Sequence, residues 1–217
     1  MVKAVKKRAH TPRSYDATRR VAQARETERA ILRAAHDLFV KQGYGRTTLV
    51  EVARTAGVSV ETIYARFKSK PGLLRRVWDV TIGGDDEDVM FHERPEIVAM
   101  QNEPDLARRL QLHAALMTRT ACRIGPFMLM LQSAAGTDAA AAEMLEEIGR
   151  QRLAGMTFMA AAAAATGQLA VSEDECRDIV WSLTDAILWH RLVVQRGWSE
   201  QRFTEHVATL LIAVLVR

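Results

Sequence analysis

The residues able to do chemistry in this chain gather between Arg46 and Leu74, and their types suit holding phosphates and base edges rather than breaking bonds. Thr47, Thr48, Ser59, Thr62 and Tyr64 bring hydroxyls, Arg66, Lys68 and Lys70 bring cations, and Glu61 brings one carboxylate. Hydroxyls and cations fix a protein on a nucleic-acid backbone, while groups that reach base edges select sequence. Elsewhere the chain has no Gly-x-Ser-x-Gly, His-Glu-x-x-His, phosphate loop or dinucleotide fingerprint. Its two cysteines, Cys122 and Cys176, lack metal-site spacing. No enzyme, cofactor or metal is expected.

Two short helices must position these side chains. Leu49, Val52, Ala53 and Ala56 recur at three- and four-residue spacing, which places them on one helical face, and Thr48 with Glu51 forms a capping box at its start. Gly57 closes that helix, Val58 packs back, and Ser59 caps a second helix in which Ile63 and Phe67 face inward at i and i+4. Val60, Glu61, Thr62, Tyr64 and Arg66 are left pointing elsewhere, available to touch DNA. Ser69-Lys70-Pro71 opens a third helix, where a lysine beside the positive end of the dipole suits a phosphate clamp. Helix, three-residue turn and helix make a helix-turn-helix.

Residues Thr27 to Trp78 resemble the N-terminal domain of the tetracycline-repressor (TetR, AcrR-like) family. The resemblance rests on Ile31, Leu32, Ala35, Leu38 and Phe39, then Gly43-Tyr44, Thr47-Thr48, Ala56-Gly57-Val58-Ser59, and Tyr64, Phe67 and Lys70. It departs at Val60 and at Arg66, where many relatives carry histidine, so the DNA sequence preference stays open. The resemblance implies that Thr48, Tyr64 and Lys70 grip phosphates and that Val60, Glu61, Thr62 and Arg66 approach bases in the major groove. Thr47, Ser59 and Lys68 are placed in the same DNA-binding set.

Charge follows the same division. Residues 1–25 carry eight Lys or Arg against one acidic residue, residues 26–82 ten against six, and residues 83–217 twelve against nineteen. We expect a flexible basic arm over 1–25, a three-helix DNA-binding domain with its connecting fourth helix over 26–82, and a helical effector-binding and dimerisation domain over 83–217, all-α throughout. No apolar run reaches the roughly 18 residues of a membrane span, and the leader lacks the apolar stretch of a secretory signal. A cytoplasmic protein with no membrane partner is expected.

Beyond residue 82, Gly83-Gly84 and the acidic run from Asp85 are expected to end the fourth helix, and Pro95 and Pro104 to bracket an irregular connection. A helix over 105–123 should stop at Gly125-Pro126, a shorter one follows, and a long one runs over 138–166. Ser172 and Glu175 cap a helix expected to continue through Leu192, and Gly197-Trp198-Ser199 precedes a last helix over 200–216. That closing pair resembles the family's dimerisation element. His113, Met117, Phe127, Met130, Met156, Met159, Trp181 and Trp189 are the candidate ligand-binding residues, because thioethers, aromatics and a polar group on an apolar face suit an adaptable pocket. They suit an ordinary core equally. The resemblance implies a homodimeric repressor on palindromic operator DNA, released by a small, largely apolar effector that the sequence does not identify. The alternative is a ligand-independent DNA-binding or architectural protein.

Overall fold

A computed structural model describes residues 13–84 and 93–217 of the chain. The segment before Arg13 and the acidic run from Asp85 to Asp88 therefore lie outside the described residues. What is described is helical: α1 Arg13–Gln42, α2 Leu49–Ala56, α3 Val60–Phe67, α4 Lys70–Gly83, α5 Pro95–Gln101, α6 Leu106–Ala135, α7 Ala139–Ala164, α8 Glu173–Leu183, α9 Ala186–Trp189 and α10 Glu200–Leu215. The all-α class holds. No helix among the described residues is long and apolar enough to cross a membrane.

Among the described residues, two large cores divide the molecule, with a small third cluster under α5. The first joins Ile31, Leu32, Ala35 and Phe39 of α1 to Val52, Ile63, Phe67, Leu73, Leu74, Val77 and Trp78, and continues into Phe127, Met130 and Leu131 of α6 and Met144 and Ile148 of α7. The second packs Leu106, Leu110 and Ala114 of α6 and Met156, Met159 and Ala163 of α7 against Cys176, Val180, Trp189, Phe203, Val207, Leu211 and Leu215. Thus α6 and α7 each contribute one end to either core. The small head of α1–α4 shares its interior with the body instead of hanging from a linker.

Several expected boundaries are corrected. Helix α1 includes every described residue from Arg13 to Gln42, so the described part of the basic arm is helical. Arg, Ala and Gln are good helix formers, and a helix nucleated by a packed segment propagates cheaply into them. Pro95 starts α5 rather than an irregular stretch, since proline is tolerated in a first turn, and Ile97 and Met100 bury there against Leu116.

The helix expected to stop at Gly125-Pro126 runs through both. An interior proline costs about 3 kcal/mol, whereas burying Phe127, Met130 and Leu131 at the head recovers roughly 1.5–3 kcal/mol each. Packing wins. Gly125 makes this crossing close, because a Cβ there would meet ring atoms of Trp189 at 3.2 and 3.3 Å and push the ring back by a few tenths of an ångström.

The helix expected to continue through Leu192 is instead interrupted between α8 and α9. Thr184 donates to the Val180 carbonyl at 2.7 Å, and Asp185 caps α9 by accepting from the Ile187 N–H at 2.7 Å. Arg152 of α7 reaches this break, 3.2 Å from the Asp185 carboxylate, and also donates to the Trp181 carbonyl that the interruption leaves free. Beyond α9 the chain widens into a π-helical turn, His190–Gln195, closed by the Arg196 N–H on the Arg191 carbonyl at 3.1 Å. The apolar periodicity crosses the break unchanged, which is why the pattern alone does not show it.

Candidate nucleic-acid interface

The turn between α2 and α3 is built as its residue types dictate. Thr48 accepts from the Glu51 N–H at 3.2 Å while the Glu51 carboxylate accepts from the Thr48 N–H at 2.9 Å, which closes the capping box. The bonds it accepts from the Thr48 N–H and the Thr48 hydroxyl hold the Glu51 carboxyl below its usual range. Gly57 takes the left-handed conformation, φ 70°, and Val58 N–H returns to the Ala53 carbonyl at 3.0 Å. Ser59 caps α3, its hydroxyl accepting from the Thr62 N–H at 3.3 Å. Ile63 and Phe67 are buried.

With Ile63 and Phe67 pinned, the outward face of α3 is Glu61, Tyr64 and Ala65, at i, i+3 and i+4, with exposed Lys68 just past its last residue. Ala65 escaped the sequence reading, although its spacing from Glu61 already placed it there. Glu61 is held below the usual carboxylate range by hydrogen bonds from its own backbone N–H and from Ser59. It remains an acceptor beside the cations. Lys68 sits at φ 66°, ψ −39°, and Ser69 N–H reaches back to the Phe67 carbonyl at 2.7 Å. This three-residue turn is strained for a side chain, and it sets Lys68 at the corner between α3 and α4.

Other expected DNA contacts are placed differently. The Thr47 side chain is interior, its hydroxyl donating to the Gly43 carbonyl at 2.9 Å. Val60 and Thr62 are half-buried, Val60 against the head core and Thr62 beside the Ser59 hydroxyl at 3.2 Å. Arg66 turns to α1, where it donates to the Glu28 carboxylate and to the Ala24 carbonyl, both at 2.8 Å. Glu28 also accepts from Arg76 at 3.1 Å, so one carboxylate ties α1 to α3 and α4. Lys70 lies 4.2 Å over the Tyr44 ring, and partial burial lowers its ammonium pKa. Tyr44 is pushed up to about 12, first by burial and then by Asp138, the cap of α7.

The candidate ligand residues do not form one site. Phe127 and Met130 belong to the joint with the head, where the Phe127 ring centroid lies 5.8 Å from Trp78 and 6.3 Å from His36. Met117 packs beside α5. Trp181 is 41% exposed, with Arg152 5.0 Å over its ring. Met156, Met159 and Trp189 lie in the body core. His113 is interior, and burial followed by the positive charge of Arg152 lowers its pKa to about 4.

A family model described as bacterial regulatory proteins, tetR family, matches residues 31–77, the segment that builds the cap, turn and outward face described above. The head matches the tetR family. Among curated relatives, the regulator AcrR of Shigella flexneri is 41% identical over 59 residues, 27% of either chain. TtgR of Pseudomonas putida is 40% identical over 57 residues, 26% of this chain and 27% of its own. The aligned segment thus spans about a quarter of the length of these relatives. Solved structures extend the likeness in fold. NalD, described as the secondary repressor of the MexAB-OprM multidrug efflux pump in Pseudomonas aeruginosa, gives a TM-score of 0.64 at 19% identity, covering 89% of this chain and 98% of its own. FadR of Bacillus subtilis, solved with stearoyl-CoA, gives 0.66 at 18%, covering 84% and 96%. Beyond the matched head, the body shares the fold of these solved structures.

Proposed function

We propose that the chain is a transcriptional repressor that binds a palindromic operator as a homodimer and lets go when a small, largely apolar molecule enters its body. The observation that carries this reading is the outward face of α3, with Glu61, Tyr64, Ala65 and Lys68 held on a capped helix-turn-helix. Glu61 and Ala65 are the side chains suited to base edges, a cytosine amine and a thymine methyl respectively. Tyr64, Lys68 and Lys70 suit phosphates.

Dimerisation is assigned to α8 and α10, which leave Trp181, Leu210 and Val214 exposed at 41%, 36% and 45%. Two-fold symmetry then sets two reading helices one DNA turn apart, about 34 Å. Release is assigned to the joint. Phe127 enters the head core between α1 and α4, and only two residues away Gly125 carries Trp189 of the body. Pro126 between them has no N–H to give the Cys122 carbonyl, so this stretch of α6 yields more readily than its neighbours. An effector that prefers the released state by about 1–3 kcal/mol weakens operator binding roughly 5- to 150-fold.

The test is footprinting of the full chain on the DNA flanking its own gene, with selection from random duplexes in parallel. A protected two-fold site is expected. Binding of equal strength to every duplex would replace the reading with that of an architectural protein.

A further inference from the structure

Several buried polar side chains in this body are well supplied. Arg109, 7% exposed, donates to the Glu103 carbonyl and, at 2.7 Å, to the Ala162 carbonyl. Thr118 and Thr184 donate to the Ala114 and Val180 carbonyls at 2.9 and 2.7 Å. His113 breaks the pattern. It lies one turn from Arg109 on α6, is 2% exposed, and neither ring nitrogen has a hydrogen-bond partner. Thr120, seven residues on and so two turns along the same face, has a buried hydroxyl without a partner, as does the indole N–H of Trp189. A buried donor or acceptor left unmade is costly, and its persistence asks for an explanation.

Resting on the repressor reading above, we propose that His113 is the hydrogen-bonding anchor of the effector site, and that the effector is an uncharged, largely apolar molecule carrying a hydroxyl group. Three features select that chemistry. The imidazole is neutral, held so by burial and by the charge of Arg152, and a neutral imidazole offers one donor and one acceptor. A hydroxyl also donates and accepts, so one group answers the ring. A carboxylate only accepts, and Arg152 is already matched to Asp185 at 3.2 Å and to the Trp181 carbonyl. Cations are disfavoured by the same arginine. The neighbours of His113 on α6 are apolar, Leu110 and Met117 about one turn to either side and Ala114 next to it. Arg152 further links this place to the α8–α9 break and its π-helical turn, a kind of irregularity that recurs at functional sites.

The experiment is calorimetric titration of the full chain with 4-butylphenol and with butylbenzene, on the wild type, His113→Phe and His113→Gln. The wild type is expected to prefer the phenol on the order of 10-fold. His113→Phe should lose that preference. His113→Gln, which keeps a donor and an acceptor, should retain most of it. Equal binding of the two probes by the wild type, binding of neither, or a preference that survives in His113→Phe overturns the anchor. Operator footprints run on the same samples separate the two readings: protection without probe discrimination removes the anchor alone, and absence of protection removes the repressor.

Discussion

Single residues on the outward face of α3 divide by what they can tell apart. Glu61→Gln is expected to leave nonspecific affinity nearly unchanged while altering preference at one operator position, which a selection from random duplexes reads directly. Lys68→Ala should weaken binding to all duplexes alike and reduce the magnitude of the slope of log K against log salt by about 1. Arg66 was expected among the base readers, and spacing does place it near that face. It is drawn away by Glu28, 38 residues earlier in the chain, a partner that no local pattern announces. The interior residue with the clearest pH signature is His113. Its folded pKa of about 4 lies below the ordinary 6.5, so above that value both states are neutral and it adds no pH dependence. As pH falls from 6.5 to 4, the unfolded chain takes up a proton that the folded chain refuses. Stability is then lost at up to about 1.4 kcal/mol per pH unit. Denaturant unfolding across that window should show a shallower decline in His113→Phe than in the wild type.

At the scale of elements, what could be read from the chain was what adjacent residues settle. The capping boxes at Thr48–Glu51 and Ser172–Glu175, the Gly57 turn and the Ser59 cap all form as their types dictate. Continuity of α6 through Pro126 and the interruption at Asp185 were hidden, because each depends on a distant partner: the head core in one case and Arg152 in the other. The eight ligand candidates scattered for the same reason, since a list of thioethers and aromatics carries no information on which core receives each. The strained corner at Lys68 offers a separation of effects. Lys68→Gly should leave the head at least as stable by thermal unfolding, because glycine accepts φ 66° without strain, while operator affinity falls as in Lys68→Ala. A drop in stability would show that the lysine's bond to the Ala65 carbonyl at 3.2 Å outweighs the strain.

For the whole molecule, the deciding quantity is how firmly head and body are joined. Phe127→Ala should destabilise the chain by about 3–5 kcal/mol, and a single cooperative unfolding transition should split into two if the joint is what makes the molecule unfold as one. Val214→Glu on the α10 face, exposed in the single chain, should leave the protomer folded but shift sedimentation from dimer to monomer and lower operator affinity. Unchanged sedimentation would move the dimer contact elsewhere. The joint also carries its own optical probe. Of the four tryptophans in the chain, Trp78 alone belongs to the head core, with its ring beside Phe127, while Trp181, Trp189 and Trp198 are in the body. Replacing those three by phenylalanine would leave one indole whose emission colour and quenching change only when that seam opens. The opening of the joint could then be timed in a stopped-flow cuvette, without a label and without DNA.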